Sequence, residues 1–146
     1  MLTFGITSLA VANPLKTEKE TRALADSIME KVGVEEYQAA FELAKPYWPV
    51  GVGEIEGLAE KTKTQIKGIE PRYGKIVGKE FIGSVKLGDS YQRYSYILKL
   101  EKHSLKWNIV FYKPKDTWLV NLIFWNDKPS ELIPEFGVVE KTHNKK

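Results

Sequence analysis

A chain of 146 residues has room for one hydrophobic core and not comfortably for two, so it reads as a single domain. With 42% apolar and 28% charged residues it is neither a disordered tail, a collagen-like repeat nor a coiled coil. Residues 76–146 carry twelve Lys/Arg against eight Asp/Glu and residues 1–75 ten against eleven, so the net +3 forms no dense basic stripe and nucleic acid is not an expected partner.

The absence of cysteine excludes disulfides, thiol catalysis and thiolate zinc sites. Leu2 to Ala12 is an uncharged, mostly apolar run ending in Ala10-Val11-Ala12, the small-x-small pattern before a signal-peptidase cut. Residues 1–12 are therefore expected to be the remnant of an export signal, without the usual preceding Lys or Arg, and the protein to be periplasmic or secreted. The same run also reads as a short buried N-terminal strand. No run reaches the roughly 18 apolar residues of a membrane span.

Thr17-Glu18-Lys19-Glu20 is a capping box that starts a helix. Ala23, Leu24, Ile28 and Val32 keep helical spacing, and Gly33 is expected to supply the left-handed stop. A second helix carries Tyr37, Ala40, Phe41 and Ala44 on one stripe and cannot continue through Pro46. Residues 46–53, with two prolines and two glycines, form a loop that holds Tyr47 and Trp48. From Glu54 a third helix places Ile55, Leu58, Thr62, Ile66, Ile69 and Tyr73 near one face, and Pro71 puts its end between Lys67 and Tyr73.

After Gly74 the period changes to two. Strands are expected at Ile76–Leu87, with bends at Gly78 and Gly83, and at Tyr91–Lys102. A third carries Trp107, Ile109 and Phe111, and a fourth Trp118, Val120, Leu122 and Phe124. Four strands with short links make an antiparallel meander. Residues 13–137 are thus one α+β domain, and 138–146 a flexible tail after a docked segment.

Motifs of chemistry are few. Gly74-Lys75-Ile76-Val77-Gly78-Lys79 lacks the spacing and the Ser/Thr of a phosphate loop and lies between a helix and a strand, the wrong order. His103 and His143 lie forty positions apart and give no metal pair, so no metal and no cofactor is expected. Glu101 and His103 share a strand face, which suits a solvent-facing ion pair better than acid–base work. The aromatics Tyr47, Trp48, Tyr73, Tyr94, Tyr96, Trp107 and Trp118 are candidates to line a small-molecule pocket, although large rings also fill cores. Alternation sends Ile97, Val110, Tyr112, Leu119, Ile123 and Trp125 to the outer sheet face. That apolar face needs a cover: a second copy in a homodimer, a protein partner, or Leu132, Ile133 and Phe136 folding back.

Helices first, the join Arg72-Tyr73-Gly74-Lys75, then a meander whose last strand opens at Asp116-Thr117-Trp118: over residues 17–127 this order resembles the cystatin-like or nuclear-transport-factor-2-like superfamily, in particular its small exported bacterial domains. The resemblance implies a curved, cone-like sheet wrapped on three helices, with a cavity that some members use for isomerisation or dehydration and others for binding. The inward stripe Tyr94, Tyr96, Leu98, Leu100, Trp107, Ile109 and Phe111 has no acid or histidine, so no catalytic residue is carried over. The expectation is an exported binding or accessory domain, holding a small apolar ligand or a protein partner. The alternative is a cofactor-free isomerase or lyase with a tyrosine acid and a carboxylate from the third helix.

Overall fold

The computed structural model describes residues 13–140. Helix α1, Glu18–Gly33, opens on the capping box: Thr17 Oγ1 accepts from the Glu20 amide at 3.2 Å, and the Glu20 carboxylate accepts from the Thr17 amide at 3.3 Å. Gly33 is its last helical residue and not its left-handed stop. That conformation falls on Glu35 (φ 61°), two residues on, after the Val34 and Glu35 amides have bonded the carbonyls of Lys31 and Val32. Helix α2, Tyr37–Ala44, buries the expected stripe Tyr37, Ala40, Phe41 and Ala44 and passes into a 3₁₀ turn at Lys45–Tyr47. Helix α3, Val52–Tyr73, starts two residues earlier than its pattern suggested and admits Pro71 in its last turn. Gly74 then ends it at φ 84°, a backbone conformation open to glycine, with the Glu101 side chain where a Cβ would stand.

Strands β1 (Ile76–Leu87), β2 (Tyr91–Leu100), β3 (Ser104–Tyr112) and β4 (Leu119–Asn126) form one antiparallel sheet in the order β1-β2-β3-β4. The fold is α+β, three helices followed by a meander, and its sheet curls only weakly. Register shifts immediately before Gly78 and Gly83 place bulges at both expected bends. The inner face carries Tyr94, Tyr96, Leu98, Leu100, Leu105, Trp107, Ile109 and Phe111, all buried, against α1 and α2. Arg22 lies 3.3 Å over the Phe81 ring and pairs with Asp26, which in turn accepts from the Tyr96 hydroxyl at 2.6 Å. The Tyr94 hydroxyl meets Thr21 Oγ1 at 2.8 Å.

Burial first, and for Tyr96 then its bond to Asp26, raises the pKa of the Tyr37, Tyr94 and Tyr96 hydroxyls above the ordinary tyrosine value. A group whose pKa is raised by folding contributes stability below its unfolded pKa and loses it as pH rises towards the folded one. Thermal stability is therefore expected to fall steeply above about pH 10, the unfolded tyrosine value. Melting curves between roughly pH 8 and 12 check this, with a shallower slope for Tyr96→Phe; a flat profile contradicts it.

The last strand departs from simple alternation. Val110 faces Leu122 but Phe111 faces Val120, which leaves Asn121 bulged. One extra residue turns every later side chain to the other face. Ile123 and Trp125, expected outside, are therefore opposite Ile109 and Trp107 on the inner face, Ile123 buried and Trp125 stacked 6.2 Å from Trp107. Leu122 and Phe124, expected inside, point outward, and Leu122 is exposed.

Ile97, Val110, Tyr112 and Leu119 do lie on the outer face, half-buried. The chain covers the middle of that face itself. A 3₁₀ turn at Pro129–Leu132 and helix α4, Ile133–Phe136, cross it: Leu132 is buried, and the Phe136 ring sits where a Cβ on Gly83 would be, 2.5 Å away. Arg93 pairs with Glu135 and Lys106 with Glu131. Beneath the segment Ser95 and Asn108 are buried and joined at 2.6 Å. The folded-back segment, one of the covers considered, lies over the middle of this face. Val138 and Val139 beyond it are exposed. The expected signal remnant at 1–12 and the end of the expected tail at 141–146 lie outside the described residues.

Candidate functional site

Helix α3 rests chiefly on α2 and touches the sheet little. It buries Ile55, Ala59, Thr62 and Ile66, and towards its C-terminal half it stands off from β4. A cleft of about 590 Å³ lies between them, lined on the helix by Leu58, Lys61, Thr62, Gln65, Gly68 and Ile69 and on the strand side by Ile123, Phe124, Trp125, Asn126 and Asp127. That volume is in the range of small-molecule sites. Gly68 contributes to the room: a Cβ there would meet nothing within 4 Å. Leu58, Ile69, Ile123 and Trp125 give an apolar floor, and Lys61, Gln65, Asn126 and Asp127 a polar rim.

At the rim three elements converge. Tyr73, from the end of α3, donates its hydroxyl to Asp127 Oδ2 at 3.1 Å; His103, from the β2–β3 turn, donates Nε2–H to the Asp127 carbonyl at 2.8 Å and lies 4.5 Å from the Tyr73 ring. Loss of solvation and then the bond to Asp127 raise the pKa of the Tyr73 hydroxyl, while nearby Arg72 opposes them. His103 does not pair with Glu101. Strand β2 stops at Leu100, and the turn sends Glu101 to accept from the Lys75 amide at 3.3 Å. The string Gly74–Lys79 is a helix cap followed by a strand, as its spacing implied. A smaller hollow of about 450 Å³ beside it mixes Lys67, Lys75 and Lys102 with Glu70 and Glu101, next to Pro71.

The aromatic candidates do not gather in a pocket. Trp48, Tyr94, Tyr96, Trp107 and Trp118 are buried in the core, where Trp48 stacks 6.2 Å from Phe41. Tyr47 is half-buried against the same core. Tyr73 alone of the seven reaches the cleft, through Asp127. The lining residues Lys61, Gln65, Gly68, Asn126 and Asp127 carried no sequence signal, because helix and strand meet across more than fifty positions. Among the described residues no three His, Asp or Glu side chains group as metal ligands, and no helix is long and apolar enough to cross a membrane. Comparison with protein-family models, curated proteins and solved structures finds no match.

Proposed function

We propose that this chain is a binding domain without catalytic chemistry, and that its site is the α3/β4 cleft, which takes a small amphipathic molecule. The observation that carries this reading is an apolar floor of Leu58, Ile69, Ile123 and Trp125 under a rim of Lys61, Gln65 and Asp127, in a space of ligand size. An apolar body on Trp125 with a polar group at the rim satisfies both surfaces. The Ala10-Val11-Ala12 pattern supports export and a mature chain beginning at Asn13. The order of helices and meander supports kinship with the cystatin-like or nuclear-transport-factor-2-like cone. A cofactor-free isomerase or lyase is the second reading, favoured by the Tyr73–Asp127 pair. That carboxylate follows β4 instead of lying on α3, and it is exposed at the rim rather than set over the apolar floor, so binding is preferred.

Gly68 separates site from fold. In the chain from Asn13, which retains every described helix and strand, Gly68→Ala is expected to raise stability by about 0.5–1 kcal/mol and to leave binding of 1-anilinonaphthalene-8-sulfonate intact. Gly68→Trp fills the cleft and is expected to abolish that binding with the fold retained. Probe fluorescence and denaturant titration measure both. Unchanged binding by a folded Gly68→Trp protein would place the site elsewhere.

A further inference from the structure

The two charged residues of the cleft rim stand at opposite ends of it. Asp127 is held by the Tyr73 hydroxyl at the C-terminal end of α3. Lys61 lies twelve positions earlier on the same helix, ~18 Å away along its axis at ~1.5 Å per residue. That separation exceeds the ~8 Å over which exposed charges act at physiological salt, so Asp127 does not neutralise Lys61. Thr62, Gln65, Gly68 and Ile69 line the stretch between them.

Its own helix also leaves Lys61 without a carboxylate. Neighbours on a helix surface are three and four residues away, and here they are Gly57, Leu58, Thr64 and Gln65. Glu60 points ~100° round the axis. Other lysines are matched: Lys31 with Glu36, Lys45 with Glu42, Lys79 with Glu30, Lys86 with Glu18 and Lys99 with Glu80. Among the described residues Lys61 has no such partner. Gln65, one turn on, adds an amide that can donate to the same group. A neutral ligand leaves this ammonium as it is, whereas an anionic one gains an ion pair backed on one side by the apolar floor, where attraction is stronger than on an open surface.

We propose that the cleft selects organic anions: a carboxylate or sulfonate sits at Lys61 and Gln65, and the apolar body passes Gly68 to lie between Ile69 and Trp125. Lys61 sets this preference, and Asp127 at the far end disfavours the reversed orientation. The proposal names the ligand class of the site assigned above and rests on that reading. Gly68 leaves the path clear, since even a Cβ there would meet nothing within 4 Å.

Two probes of one shape test it: 1-anilinonaphthalene-8-sulfonate and the uncharged N-phenyl-1-naphthylamine, the same ring system without the sulfonate. Each is titrated by fluorescence into the full chain as wild type, Lys61→Met, Lys61→Arg and, as a control outside the cleft lining, Lys63→Met. Lys61 is exposed, so the effect is that of one partly shielded ion pair: Lys61→Met is expected to weaken sulfonate binding about three- to tenfold and to leave the uncharged probe unchanged. Lys61→Arg and Lys63→Met are expected to bind the sulfonate as the wild type does. Raising salt from ~0.05 to ~0.5 M is expected to narrow the gap between wild type and Lys61→Met. If Lys61→Met weakens both probes equally, or neither, or if Lys63→Met weakens the sulfonate as much, the proposal is overturned and the cleft reading stands. If the wild type binds neither probe saturably, the cleft reading falls and the proposal with it.

Discussion

Trp118→Ala is expected to lower the unfolding free energy by about 3–5 kcal/mol, the cost of deleting a large buried aromatic. Trp118 is 3% exposed and immediately precedes β4. Its indole belongs to the main core, and Lys113 Nζ lies 5.1 Å over the ring. Its backbone carries the bridge to Leu15, itself buried, so the cavity loosens the point where the N-terminal segment joins the sheet. Domains of this size have only about 5–15 kcal/mol in total, so the variant is expected to be close to unfolding at 37 °C. Equilibrium denaturation measures the change, and a loss below about 1 kcal/mol, the range of surface substitutions, would mean that the ring is not part of the core.

Gly83→Val is expected to cost about 1–3 kcal/mol, as overpacking does, and to detach the C-terminal segment. The new Cβ would meet Phe136 ring carbons at 2.5 Å, and the sheet beneath cannot yield, because Gly83 is paired with Ser95. The ring must leave. With it go the Arg93–Glu135 and Lys106–Glu131 pairs, the burial of Leu132 and the cover over Ser95 and Asn108. Partly exposed ion pairs contribute little by themselves, so the main loss is of packing. The bared face is then expected to associate. Light scattering after size exclusion at micromolar concentration should find the wild type monomeric and Gly83→Val larger or polydisperse. A variant as stable and as monomeric as the wild type would show that the segment does not cover the face in solution.

The helices and the bends of β1 are legible because their signals are local: the Thr17/Glu20 capping box, the stripe through Tyr37 and Phe41, and the glycines Gly78 and Gly83. The face of β4 beyond Asn121 was not. Leu119-Val120-Asn121-Leu122-Ile123-Phe124-Trp125 is apolar on both parities, so alternation does not choose an inside, and neither Gly nor Pro marks the bulge. The packing of Trp125 on Trp107 accompanies the register instead, and that is a tertiary contact. The seven aromatics are pocket candidates because they are large and partly polar, and their size also places Trp48, Tyr94, Tyr96, Trp107 and Trp118 in the core. The cleft itself is a gap between α3 and β4, and its Tyr73–Asp127 bond spans 54 positions. A gap has no residue pattern of its own.

The central claim is that the α3/β4 cleft binds an amphipathic molecule. Amide chemical shifts of the chain from Asn13, followed by NMR during titration with 1-anilinonaphthalene-8-sulfonate, test it most directly. Saturable shifts confined to Leu58–Ile69 and Ile123–Asp127 are predicted, whereas shifts centred on the outer face around Val85, Leu87 and Leu122, or none at all, would contradict it.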